Sequence, residues 1–111
     1  MCKYKTLAHN ENGYVILCHG CRQYQLAFGT TAVSFPPSDF AIFKRQLNYY
    51  AEKEEYKTGG THKCISLDLF CRCAMMVVTY EEFIKLRDLI GLASFHENVE
   101  TIFEDLNLSR E

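Results

Sequence analysis

The spacing of apolar residues changes twice along this chain, from the two-residue repeat of strands to the repeat of helices. Strand-like segments cover about residues 2–8, 14–18, 23–28, 32–35, 63–70 and 73–78. Helically spaced apolar residues follow each group, first Phe40, Phe43, Leu47 and Tyr50, and later Phe83, Leu86, Ile90 and Ala93. The pattern predicts an α+β fold. We expect an antiparallel β-sheet built from hairpins, with about five or six strands, covered on one face by two or three helices.

The order strand, strand, helix occurs twice, over about residues 26–47 and 67–90. This repeated order has two interpretations, an internal sequence repeat or the ordinary similarity of hairpin-plus-helix units. A further helical stretch is expected over about residues 97–106, where apolar residues again recur at helical spacing.

The first hairpin contains the turn signal Asn12-Gly13, two residues that tolerate a positive φ. Two registers are open. A loop over residues 10–13 places Cys2 opposite Cys21, whereas a turn at Asn12-Gly13 alone places Cys2 opposite Gln23. In either register Cys2 comes within about two positions of the following turn.

Both main helices have N-terminal signals. Pro36-Pro37 predicts the entry to the first helix, with Ser38 or Asp39 as its cap. Thr79 and Glu82 have the spacing of a capping box, in which each residue bonds the other's backbone N–H.

Composition and charge restrict the class of protein. The 111 residues, 48% apolar and 23% charged, fit one domain spanning residues 1–111. The net charge of −2 gives no reason to expect nucleic acid as a partner. Residues 1–63 carry eight Lys/Arg against five Asp/Glu, whereas residues 64–111 carry four against nine. The acidic end is interpreted as a solvated helix face or as a surface for a basic partner.

Targeting signals are not evident. Neither a signal-peptide core nor an apolar run of about 18 residues occurs, so a cytoplasmic location without membrane contact is expected. Six cysteines in such a reducing compartment are then expected to be buried thiols, metal ligands or redox groups rather than disulfides.

The motif Cys18-His19-Gly20-Cys21 is the compact chemical feature of the chain. Two intervening residues let both thiolates bind one ion across a tight turn, which Gly20 would permit. Cys2 is expected near the same turn, while His9 is expected at the far end of the hairpin. Three thiols therefore converge in this prediction, which suggests zinc as the cofactor.

The fourth ligand is open among several residues. Cys73 is the choice for the predicted set of Cys2, Cys18, Cys21 and Cys73; the alternatives are Cys71, Cys64, His19, His62 or a water. Every one of these cysteines could instead be a buried apolar side chain. A redox role for the pair is a weaker interpretation, because a strand rather than a helix is expected after Cys21. Haem attachment is rejected, because Arg22 stands where a histidine is needed.

The chain resembles a family of small uncharacterised bacterial proteins, a domain of unknown function. The resemblance rests on Cys2, Gly13-Tyr14-Val15, the Cys18–Cys21 pair and the run 25–30, Gln-Leu-Ala-Phe-Gly-Thr. It covers most of the chain and implies a compact cytoplasmic domain, with no activity attached. Cys71 and Cys73 do not obviously belong to the family pattern.

These observations favour a small non-enzymatic domain with a thiolate-bound zinc ion and an interaction or regulatory role. The expected partner is an unidentified protein or a second copy of the chain. The alternatives are a metal-free homodimer that pairs through a sheet edge, and a thiol redox protein.

Overall fold

The computed structural model describes residues 3–53, 57, 63, 65–71 and 74–109. In chain order these residues form β1 (Tyr4–Asn10), β2 (Gly13–Cys18), β3 (Tyr24–Phe28), β4 (Thr31–Phe35), α1 (Pro37–Ala51), β5 (Ile65–Cys71), β6 (Ala74–Val78) and α2 (Tyr80–Ser109). The first four strands form an antiparallel sheet in sequence order, and β5 pairs with β6. The α+β class and the number of strands are confirmed, and the six strands are divided between two sheets.

The side chain of Gln46 on α1 binds the backbone of Asp68 on β5. The Gln46 side-chain Nε2 donates to the Asp68 carbonyl oxygen at 3.1 Å, and the Asp68 N–H donates to Gln46 Oε1 at 2.7 Å. One side-chain amide thus satisfies both backbone groups of Asp68, as a neighbouring strand would. Helix α1 lies against both β4 and β5, between the two sheets.

The first hairpin adopts the register in which His9 lies opposite Tyr14, but its turn is Glu11-Asn12, shorter than the expected loop over residues 10–13. His9 pairs with Tyr14 and Asn10 with Gly13, while the Asn12 N–H donates to Asn10 Oδ1 at 2.8 Å across the turn. The alternative turn at Asn12-Gly13 alone was wrong. A bulge between Thr6 and Ala8 then shifts the pairing by one residue toward the other end of the hairpin.

The predicted cap of α1 was wrong. Pro36 is the N-cap residue without a side-chain hydrogen bond, and Pro37 is already helical. Ser38 and Asp39 therefore lie inside the first turn, where their oxygens are past the capping position. The Phe40 N–H donates to the Pro36 carbonyl at 3.0 Å and begins the helix ladder.

The predicted capping box of α2 is confirmed. The Thr79 N–H donates to Glu82 Oε1 at 2.9 Å, and the Glu82 N–H donates to Thr79 Oγ1 at 3.1 Å. Lys63 also donates to Glu82, and this bond followed by the one from Thr79 lowers the pKa of the Glu82 carboxyl. The two predicted helical stretches are one continuous helix, because neither proline nor glycine interrupts residues 92–109.

Both helices bury apolar side chains against the strands, α1 against β4 and β5, and α2 against β1, β2 and β6. Each strand–strand–helix unit is present, although the two hairpins belong to different sheets. The largest fully buried side chains are Phe35, Phe43, Phe83, Leu7, Leu26, Leu47, Ile65, Leu67, Leu86 and Leu89. Within the described residues, neither helix is sufficiently long and apolar to cross a bilayer.

Candidate functional site

The connection between β2 and β3 holds Cys18 and Cys21. Cys18 ends β2 with 2% of its surface exposed, whereas Cys21 is exposed, and neither is in a disulfide. The Arg22 N–H donates to the Cys18 carbonyl at 2.9 Å, and the Cys18 N–H donates to the Gln23 carbonyl at 2.9 Å. The predicted turn therefore exists. Arg22, at φ 62°, supplies the left-handed conformation that the sequence assigned to Gly20.

The N-terminal strand is hydrogen-bonded to the same turn. The His19 N–H donates to the Lys3 carbonyl at 2.8 Å, and Tyr4 pairs with Cys18. Cys2 directly precedes Lys3 in the sequence and is itself outside the described residues. His9 lies near the opposite end of this hairpin, as its spacing predicted, and is thereby separated from the thiols.

The other candidate ligands are only partly described. Cys73, Cys64 and His62 lie outside the described residues, and Cys71 ends β5 with its side chain outside the description. His19 is exposed beside Cys18. Of the predicted ligands Cys2, Cys18, Cys21 and Cys73, the structure brings Cys18 and Cys21 onto one turn and leaves the other two untested.

The described part of β5 approaches the end of the first sheet that carries the thiol turn. The rings of Phe70 and Phe35 have centroids 6.3 Å apart. Phe35 pairs with Tyr24, and Tyr24 pairs with Leu17, the neighbour of Cys18. Phe35, the residue that Phe70 contacts, is thus two strands from β2, roughly 10 Å at the usual strand spacing.

Two thiols supply half of the four ligands that structural zinc uses. Within the described residues, no group of three or more His, Cys, Asp or Glu side chains is arranged to hold a metal. A complete site would therefore need ligands from outside the described set.

The side chain of Tyr24 contacts both helices near the end of the four-stranded sheet that carries the thiol turn. The Tyr24 ring stacks on Phe40 of α1 with centroids 4.3 Å apart, and its hydroxyl donates to Glu97 of α2 at 2.6 Å. Burial, followed by the hydrogen bond to Glu97, raises the pKa of Tyr24 to about 12. The sequence analysis placed Tyr24 on a strand. It did not predict the contact with Glu97, because the two residues are 73 positions apart and no local sequence pattern connects them.

Replacing Tyr24 with phenylalanine is expected to destabilise the domain by about 1–2 kcal/mol, because Glu97 loses a donor at a partly buried position. Because the folded-state pKa is raised, the stabilising contribution is present below pH 10 and is lost as the pH rises from about 10 to 12. The ionisation of the Tyr24 hydroxyl is measured by subtracting the ultraviolet titration curve of Tyr24→Phe from that of the wild type. If Tyr24 ionises at the same pH in Glu97→Gln as in the wild type, the assigned hydrogen bond is contradicted.

A groove of about 600 Å³ lies between the two helices. Its floor includes the buried side chains of Leu47 and Ile90. Lys44 and Arg87 contribute positive charges to its lining and Asp88 contributes a negative charge. The Lys44 ammonium also lies 5.1 Å from the centroid of the Phe40 ring. The groove arises because α1 and α2 pack on different strands, so sequence periodicity does not reveal it.

The fold and the turn together define a small α+β domain with a Cys-x-x-Cys connection at one end of its larger sheet. The chain belongs to a family of unknown function, DUF6686, whose model matches residues 1–109. The resemblance to an uncharacterised domain family is thereby confirmed. Comparisons with curated proteins and with solved structures found no match.

Proposed function

We propose that this domain is a non-enzymatic interaction module whose N-terminal hairpin is held by a thiolate-bound zinc ion. The observation that carries the proposal is the β2–β3 connection, where Cys18 and Cys21 have the spacing of a zinc-binding pair. The Lys3 carbonyl is bonded to the same connection through His19. Cys2 is therefore attached directly to a residue already held at this turn.

The proposed ligands are Cys2, Cys18, Cys21 and Cys73. Contact between Phe70 and Phe35 supports a fourth ligand from the β5–β6 connection, because it brings the end of β5 toward this end of the larger sheet. Zinc would link segments far apart in sequence, which stabilises a short hairpin by limiting its opening. A cytoplasmic, reducing location belongs to this proposal, since the cysteines must remain thiols.

Thiol–disulfide chemistry has less support than structural metal binding. Redox-active cysteine pairs gain thiolate stability from the N-terminus of a helix. Here β3 follows the turn, and it begins three residues after Cys21. The pair therefore receives no help from the dipole of a following helix.

Elemental mass spectrometry of the untagged protein, purified under reducing conditions, tests the metal site. We expect about one zinc per chain in the wild type, loss of that zinc in Cys18→Ser, and retention in the control Ile42→Ser, at an exposed position on α1. Cys73→Ser tests the fourth ligand separately and should lower the zinc content or affinity. Wild-type protein without metal would contradict the proposal and leave the cysteines as packing residues.

A further inference from the structure

The backbone groups on the outer edge of strand β6 can be identified from the pairing of β6 with β5. Asp68 lies opposite Met75, and the N–H and C=O of Asp68 both bond to Gln46 on α1. Asp68 and Met75 are therefore a pair without mutual hydrogen bonds, in which the backbone groups of each residue point away from the other strand. The alternation along the strand places the N–H and C=O of Val77 on the same outer edge as those of Met75.

This outer edge is open within the part of the chain that the structure describes. There β6 pairs with β5 alone, and no turn or loop hydrogen bond reaches Met75 or Val77. The two residues are also 62% and 43% exposed. The edge therefore presents an unpaired row of backbone donors and acceptors beside apolar side chains, and an extended strand is the structure that satisfies both.

The other strand edges carry features that hinder pairing, and β6 does not. Strand β1 contains a bulge and packs against α2, Pro36 directly follows β4, and Gln46 covers β5 at its middle. Bulges, prolines and covering elements are the devices that keep strand edges from associating. The sequence of β6, Ala-Met-Met-Val-Val, has neither charge nor proline, and its register with β5 is regular from Met75 to Val78.

We infer that β6 pairs with β6 of a second copy of this chain, antiparallel and with the two-fold axis at Met76. In this register Met75 of each copy lies opposite Val77 of the other. Both are hydrogen-bonded pairs, so the outward N–H and C=O groups of both residues are satisfied by about four new backbone hydrogen bonds. An antiparallel register shifted by two residues would pair Met75 or Val77 with position 79 or 73, outside β6.

The composition of β6 favours a second β6 as the strand that binds there. Because β6 is uncharged, two copies can lie side by side without placing like charges opposite each other. Met75 and Val77 of the two copies form apolar cross-strand pairs on the exposed face of the joined sheet. The strand is thus complementary to itself in both backbone and side chains.

Pairing at β6 is expected to stop at a dimer. The opposite edge of the two-stranded sheet is β5, where Gln46 already occupies both backbone groups of Asp68. The joined sheet, in the order β5, β6, β6, β5, therefore has a covered strand at each end, and the two-fold contact closes the assembly. The inference rests on the interaction role proposed above, names its partner, and does not depend on zinc.

Sedimentation velocity over a concentration series tests the interface. Because the ladder is short, we expect the wild type to dimerise with a dissociation constant between about 1 µM and 1 mM. A chain with both Met75→Lys and Val77→Lys should bind at least tenfold more weakly, since two lysines face each other twice across the axis. The matched control is Phe95→Lys, which places the same charge at a 63% exposed apolar residue of α2 and should dimerise as the wild type does.

A second double variant, with Met75→Lys and Val77→Glu, tests the register. In the inferred register each lysine lies opposite a glutamate, so this chain should dimerise at least tenfold more tightly than the variant with two lysines. Parallel pairing in register, or an antiparallel register shifted by two residues, would place like charges opposite each other. Equal affinities of the two double variants would overturn the inferred register.

Two other outcomes would overturn the inference: a wild type that stays monomeric at millimolar concentration, or a Phe95→Lys variant weakened as much as the variant with two lysines. The circular dichroism of both double variants should match that of the wild type, because both positions are exposed in the single copy. A Cys18→Ser variant without zinc that still dimerises would support the inference apart from the metal. A monomeric wild type that holds zinc would overturn it and leave the metal proposal standing.

Discussion

Replacing Gly13 with alanine should destabilise the domain by roughly 3 kcal/mol. A Cβ atom at Gly13 would lie 1.9 Å from the carbonyl oxygen of Ala27 on β3. That neighbour is backbone, so relief of the clash requires β2 and β3 to separate rather than a side chain to rotate. Gly13 pairs with Asn10 on one side and Phe28 on the other, and movement therefore disturbs three strands.

Gly91→Ala provides a control with the same chemical change and the opposite expected sign. No atom lies within 4 Å of a Cβ built at Gly91, which is inside α2. Alanine is favoured over glycine in helices by about 0.5–1 kcal/mol, so this variant should be slightly more stable than the wild type. Urea unfolding of the three proteins measures both effects. Equal stability of the two variants would show that the strands at Gly13 are not closely apposed.

Removal of metal should loosen the first hairpin at the end that carries the thiols. If zinc joins the proposed cysteines, a chelator should raise the hydrogen-exchange rates of residues 3–5 and 17–23 at least tenfold, equivalent to about 1.4 kcal/mol of local stability. Residues 8–10 should change less, because they pair with residues 13–15 at the end of the hairpin far from the thiols. A change in exchange rate that is largest near the thiols and smaller toward the other end of the hairpin distinguishes local metal loss from global destabilisation.

Exchange measured by mass spectrometry, with and without chelator, checks this expectation. The β5–β6 pair away from its connection serves as an internal reference, since Ile65, Leu67 and Val78 are packed in the core. Cys18→Ser should show the same rates in both conditions. Identical rates for the wild type with and without chelator would contradict a structural metal in this hairpin.

Local patterns predicted several elements correctly. The Thr79–Glu82 capping box forms because both hydrogen bonds span three residues and depend little on the rest of the fold. The first hairpin register was one of two alternatives, and its choice depends on how Gly13 fits against β3 as well as on the turn. The predicted α1 cap was wrong because Pro37 is already helical. Ser38 and Asp39 therefore lie inside the helix and not at the N-cap position.

The candidate thiol turn was predictable because Cys18 and Cys21 are close in sequence and turn residues separate them. The contact of Tyr24 with Glu97 and the hydrogen bonds of Gln46 to Asp68 were not predictable in this way, because they join residues far apart in the chain. The exposed apolar face of α2 around Phe95 and Ile102 was missed for another reason. Two separate helical stretches were expected, and division near residue 95 conceals a strip that crosses it.

The sequence by itself determined the α+β class, the succession of strands and helices, and the position of the Cys18–Cys21 turn, because those depend on periodicity and near neighbours. Only the tertiary structure decided the division into two sheets, the groove between α1 and α2, and which apolar face of α2 is covered. Both faces of α2 have the same kind of residues. The strands can cover one of them, and their width and position leave the opposite face, with Phe95 and Ile102, at the surface.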